Sequence, residues 1–90
     1  MTPRLEVRKL DDVTFEVTVH DGTTTTHTVT APRDYAARLV REDIPVERLI
    51  IRSFEFLLER EPNTSILRRF ELPVIARYFP EYERVIRGML

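Results

Sequence analysis

The chain has 90 residues, 42% of them hydrophobic and 32% charged, with a formal charge of −1. That length builds one domain, 1–90, and the charge balance excludes a polybasic nucleic-acid coat or membrane anchor. No cysteine is present, which removes disulfides, thiolate metal sites and cysteine nucleophiles. With no signal-like leader and no apolar run of about 20 residues, the expectation is a cytoplasmic protein.

From Arg4 to Val29 apolar residues fall at every second position: Leu5 and Val7, then Val13, Phe15, Val17 and Val19. This is the period of a strand with one buried face. His20-Asp21-Gly22 suits a three-residue hairpin loop ending at positive φ, which Gly adopts without steric penalty. That loop predicts Val17 opposite Thr25, Phe15 opposite His27 and Val13 opposite Val29. The result is a three-stranded antiparallel meander over 3–9, 13–19 and 23–30. In the first hairpin a tight pairing sets Glu6 against Glu16, whereas a shift of two residues sets Arg8 there, and charge favours the shift.

After residue 31 the period becomes helical. Pro32 suits a first helical position, and Tyr35, Ala36, Leu39 and Val40 form a stripe running to about Glu42. A long amphipathic helix starts at Pro45 and ends near Arg60, with Val46, Leu49, Ile50, Ser53, Phe54, Leu57 and Leu58 on one face. Ile51 and Phe56 widen that arc past half the circumference, so the helix needs two neighbours. Thr64 or Ser65 caps a predicted short helix carrying Ile66, Leu67 and Phe70, and further short helices start at Pro73 and Pro80. Strands in 3–31 followed by helices in 32–90 make an α+β domain, with several short helices and the long one packed on one sheet face.

Chemistry-bearing residues are sparse. His20 in the turn and His27 up the strand stand about 15 Å apart at 3.3 Å per residue, too far to share a metal. His27 reads as a half-buried ring across from Phe15 with bonded nitrogens. Ser53 falls on a buried stripe and Ser65 at a cap, neither with a histidine close in sequence. Asp11-Asp12, Glu42-Asp43 and the Glu55/Glu59 pair read as a turn, a helix end and an exposed helix face. Gly22 and Gly88 are the only glycines, so there is no phosphate-cradling loop. A pocket around His27, Glu16 and Tyr35 would be needed for an enzyme, and no convergent constellation marks one. The reading is a non-enzyme with no cofactor and no metal.

Thirteen of the fourteen basic residues are Arg, and residues 62–90 alone carry a positive balance, +2. Arg68, Arg69, Arg77, Arg84 and Arg87 are therefore the candidate contacts for an anion or nucleic acid, in a segment that can be drawn as a helix-turn-helix but lacks its usual glycine. The two sheet edges differ more. The first strand is guarded by Pro3, Arg4, Arg8 and Lys9, whereas TTTTHTVTA at 23–31 has neither charge nor proline. Such an edge needs cover, from the chain's own helices or from a second chain. Thr24, Thr26 and Thr28 are the candidate interface.

SFEFLLEREP at 53–62 and SILRRFELPVIARYFPEY at 65–82 together resemble a signature of small uncharacterised bacterial proteins. The resemblance covers about a third of the chain. It implies a bacterial or archaeal cytoplasmic protein and brings no activity, cofactor or site residue. The resulting expectation is a small non-catalytic binding or assembly module that self-associates, as a homodimer or with another protein, away from membranes. The alternative is a nucleic-acid-associated or regulatory protein acting through the C-terminal arginines.

Overall fold

The computed structural model describes residues 4–90. Pro3, expected at the guarded start of the first strand, lies outside them. The elements are β1 (Arg4–Lys9), β2 (Thr14–Asp21), β3 (Thr23–Thr30), α1 (Arg33–Leu39), α2 (Val46–Leu58), a 3-10 turn (Asn63–Ser65), β4 (Arg69–Glu71), α3 (Pro73–Tyr78) and α4 (Tyr82–Met89). The fold is α+β, with a sheet in the order β1-β2-β3-β4 whose inner face carries the helices.

The first hairpin takes the shifted register, Arg8 opposite Glu16, and their side chains meet at 3.1 Å. Its turn is tied by Asp11, whose carboxylate accepts from the amides of Val13 (2.9 Å) and Thr14 (2.8 Å). These bonds hold the Asp11 carboxyl below its ordinary range. In the second hairpin the expected register is corrected by two residues: Phe15 pairs with Val29, Val17 with His27 and Val19 with Thr25. Alternation survives a two-residue slip, so each residue keeps its face while changing its partner. The ladder runs on to Asp21 opposite Thr23, with Gly22 alone at the tip at φ 75°, and this pairs Phe15 with the one apolar residue of β3, Val29.

The helical half departs from expectation most at one element. Residues 64–70 do not form a helix. They give the 3-10 turn and then β4, which runs parallel to β3 with Val29 opposite Phe70. Ile66 and Phe70, four apart, satisfy a helical stripe and a strand face equally well, and only six residues separate Ser65 from Leu72-Pro73. The backbone is drawn instead to β3: Thr28 N–H donates to Arg68 C=O at 2.7 Å and Leu72 N–H to Thr30 C=O at 2.9 Å. The three-stranded meander thus becomes a four-stranded mixed sheet. α1 also stops at Leu39, with Val40 extended, short of the expected Glu42, since residues 41–43 offer no apolar side chain to continue its stripe. α2 stops at Leu58.

α2 is the structural centre. Leu49, Ile50, Phe54 and Phe56 have no exposure, and the helix packs against both the sheet and α4, the two neighbours that its wide arc requires. Ser53, buried where α2 meets α4, donates to Leu49 C=O at 2.7 Å. Its single proton is thereby used, so Tyr82 must be the donor in the 2.6 Å contact between the two hydroxyls. Burial pushes the Tyr82 phenol up to about 12. At the end of α2, Arg60 stacks on the Phe56 ring at 3.6 Å and pairs with Glu81 at 3.2 Å, pinning the entry to α4. Tyr82→Phe is expected to cost about 0.5–1.5 kcal/mol in urea denaturation, the net value of one hydrogen bond. An unchanged midpoint would show that the hydroxyl pair adds nothing to stability.

Candidate functional site

The residues singled out from the sequence do not assemble into one site. His27 and Glu16 lie on opposite faces of the sheet: His27 points inward and is 1% exposed, whereas Glu16 points outward to Arg8. Tyr35 donates to the Glu83 carboxylate at 2.8 Å, and burial raises its phenol above the ordinary range, with that bond adding to the effect. The His27 ring is more deeply buried than expected and packs on Phe54 (centroids 5.4 Å apart) rather than across from Phe15. Its Nδ1 meets Leu67 C=O at 2.8 Å and its Nε2 meets the Thr25 hydroxyl at 2.9 Å. A carbonyl only accepts, so Nδ1 carries the proton and Nε2 accepts from Thr25. Burial, with a smaller contribution from Arg68, lowers the imidazole's affinity for a second proton, against the opposing bond to Leu67. His20 sits on the outer face with Glu6 at 2.7 Å, and this contact holds the Glu6 carboxyl below its usual range.

Of the two covers expected for the β3 edge, the chain's own is present over part of its length, supplied by a strand rather than by helices: β4 takes Thr28 to Thr30, and the Asn63 amide donates to Thr23 C=O (2.7 Å) and to the Thr25 hydroxyl (3.0 Å). An uncharged edge templates whatever strand is at hand, and a tethered segment reaches it with less entropy loss than a second chain does. The side chains of Thr24 and Thr26 remain exposed on the outer face, and Thr28 is half-buried beside Arg69.

The five arginines do not share a surface. Phe70 faces the core, so Arg69 points to the outer face of the sheet, whereas Arg77 lies on α3 and Arg84 and Arg87 on α4, on the helical side. Arg68 lies between the 3-10 turn and β4, and Arg87 reaches back to Arg38 C=O at 3.5 Å.

What the fold does assemble is an apolar groove of about 360 Å³ between the end of α2, the 3-10 turn with β4, and α3. Leu57 and Ile66 form its floor with Phe70 and Ile75, and Leu67, Val74, Tyr78 and Phe79 line its sides. Leu67 is 47% exposed and Tyr78 68%, a clustering of apolar surface unlike isolated exposed residues. Among the described residues the only acidic group in the lining is Glu61, half-buried just beyond the end of α2, and Ser65 adds a hydroxyl. Burial raises the Glu61 carboxyl above its ordinary range. Among the described residues no cation pairs with it, since neighbouring Arg60 is held by Glu59 and Glu81. The sequence hid this groove because its walls come from three elements, one of them read as a helix.

No helix among the described residues is long and apolar enough to cross a membrane. No family model, curated protein or solved structure matches the chain.

Proposed function

We propose that the protein is a non-catalytic binding module whose working surface is this groove, and that its occupant is an apolar segment of a partner polypeptide carrying one basic side chain. The observation that carries the reading is Glu61, the one charged group in a mostly apolar lining, with no cation paired to it among the described residues. Apolar side chains entering the groove would supply the driving force, and a lysine or arginine set against Glu61 would supply specificity, since an acidic or neutral segment leaves the carboxylate desolvated and unpaired. Non-catalysis is supported by the engagement of the candidate groups elsewhere: His27 and Ser53 spend their hydrogen-bonding capacity in the core.

A titration followed by amide NMR tests this, using an acetylated, amidated peptide of leucines around one lysine and its counterpart with glutamate. The lysine peptide should shift Ile66, Phe70, Ile75 and Tyr78, and the glutamate peptide should bind about tenfold more weakly, a difference of 1.4 kcal/mol. Glu61→Gln should erase that preference. A cation also draws the proton from Glu61, so lysine-peptide affinity should rise with pH through the raised carboxylate range. Shifts confined to the threonine face, or a preference indifferent to Glu61→Gln, would remove the groove as the site.

A further inference from the structure

β4 is a sheet edge, and its free backbone groups can be identified from the bonds it makes. Arg68 C=O and Leu72 N–H bond to β3, and hydrogen-bonding direction alternates along a strand. The amides and carbonyls of Arg69 and Glu71 therefore point away from β3. They make no backbone hydrogen bond beyond the sheet ladder among the described residues, and both side chains are exposed. The opposite edge, β1, presents exposed Arg4, Arg8 and Lys9, side chains that discourage further pairing.

We propose that the β4 edge pairs with the β4 edge of a second copy of this chain, antiparallel, across a two-fold axis at Phe70. In this register each Arg69 faces the Glu71 of the other copy. The outward-pointing groups then form two hydrogen-bonded pairs, giving four backbone bonds and two cross-strand ion pairs on the outer face. The neighbouring registers that keep the same groups facing are worse. One sets Arg69 against Arg69. The other sets Glu71 against Glu71 and brings Pro73, which has no N–H, opposite Arg69. The Arg-Phe-Glu sequence of β4 is thus complementary to itself in one register only, as an isologous contact demands. The pairing continues the sheet to eight strands and places the half-exposed Leu67 at the contact. It does not depend on the groove reading, and Glu61→Gln should leave it unchanged.

The contact is short, so the association is weak and is sought by sedimentation velocity from about ten micromolar to about one millimolar. The wild type should dimerise reversibly in this range, less so at high salt, because the exposed pairs are screened. Arg69→Glu or Glu71→Arg turns two opposite-charge pairs into two like-charge pairs and should weaken the dimer about tenfold. The double variant, Arg69→Glu with Glu71→Arg, restores opposite charges across the axis and should restore dimerisation. Circular dichroism checks that each variant is folded, and the two single changes stand in for one another if either misfolds. Several results would overturn the proposal: a monomeric wild type throughout the range, a dimer indifferent to both single changes, a folded double variant that stays monomeric, or a dimer broken by Thr26→Lys but not by Arg69→Glu.

Discussion

Phe54→Ala will destabilise the fold by about 3–5 kcal/mol, the range for truncating a fully buried phenylalanine. Phe54 has no exposure and is a side chain through which α2 touches the two strands β3 and β4: its ring lies 5.4 Å from His27 of β3 and 6.0 Å from Phe70 of β4. Truncation removes the transfer free energy and also leaves a void that neighbours fixed by hydrogen bonds cannot collapse to fill. His27, in particular, is bonded at both nitrogens. Against the roughly 5–15 kcal/mol that holds a typical domain, the loss is large enough to leave a measurable unfolded population. Urea denaturation measures it. A loss under about 1 kcal/mol would mean that α2 does not organise the core as described. Leu57→Ala, at the groove end of the same face and 3% exposed, should cost about 2–5 kcal/mol.

Acidification should weaken the fold through His27. The imidazole is buried and neutral, and its folded pKa lies below its ordinary value. Above about pH 6.5, the ordinary histidine value, neither the folded nor the unfolded state is protonated there, and stability from this group is constant. As the pH falls below that value the unfolded chain takes up a proton that the folded chain refuses, so stability drops until the folded pKa is passed and then levels off. Each unit of depression is worth about 1.4 kcal/mol. The cause is visible in the bonding. A proton on Nε2 would face the Thr25 hydroxyl that now donates to it, and Thr25 would have to turn its own hydrogen away while still accepting from Asn63. Glu61, raised by burial, works in the opposite direction, because the folded state then holds the extra proton. Glu6, Asp11 and Glu81 are lowered and titrate below the ordinary carboxylate range. Unfolding free energies from pH 8 to pH 5 on wild type and His27→Gln isolate the imidazole. The wild type should lose stability over this interval, and the variant, starting lower, should show a flatter profile. Parallel curves would rule out His27 as the source.

This buried chain of contacts runs from Asn63 through Thr25 and His27 to Leu67 C=O. It is also what holds one wall of the groove against β3. The two ends of the segment that carries Ile66 are thereby fixed to the sheet by side chains, before β4 adds its backbone bonds. Groove shape and core integrity are accordingly coupled, and a change that disturbs His27 is expected to reach Leu67 first.

Local pattern was enough to place the elements whose residues answer to their own neighbours. Alternation from Leu5 to Val29 identified the three strands and the face each residue takes, and the charges of Arg8 and Glu16 selected the first register. Prolines at 45 and 73 marked where helices begin, Pro80 stands two residues before α4, and the wide apolar arc of α2 required the two neighbours it has. Tertiary structure decided the rest. A period of two leaves registers two residues apart with the same buried face, so only side-chain fit across the pair could set Phe15 against Val29. Ile66 and Phe70 suit a helix or a strand, and it was the unfilled hydrogen-bonding row of β3, forty residues earlier in the chain, that drew Arg69–Glu71 into the sheet. The same pairing covered the β3 edge at Thr28 to Thr30, parted Arg69 from the helical arginines, and built the groove around Glu61. Periodicity reports which side of an element is buried. It does not report which distant backbone completes its hydrogen bonds, and in this protein that choice forms the candidate site.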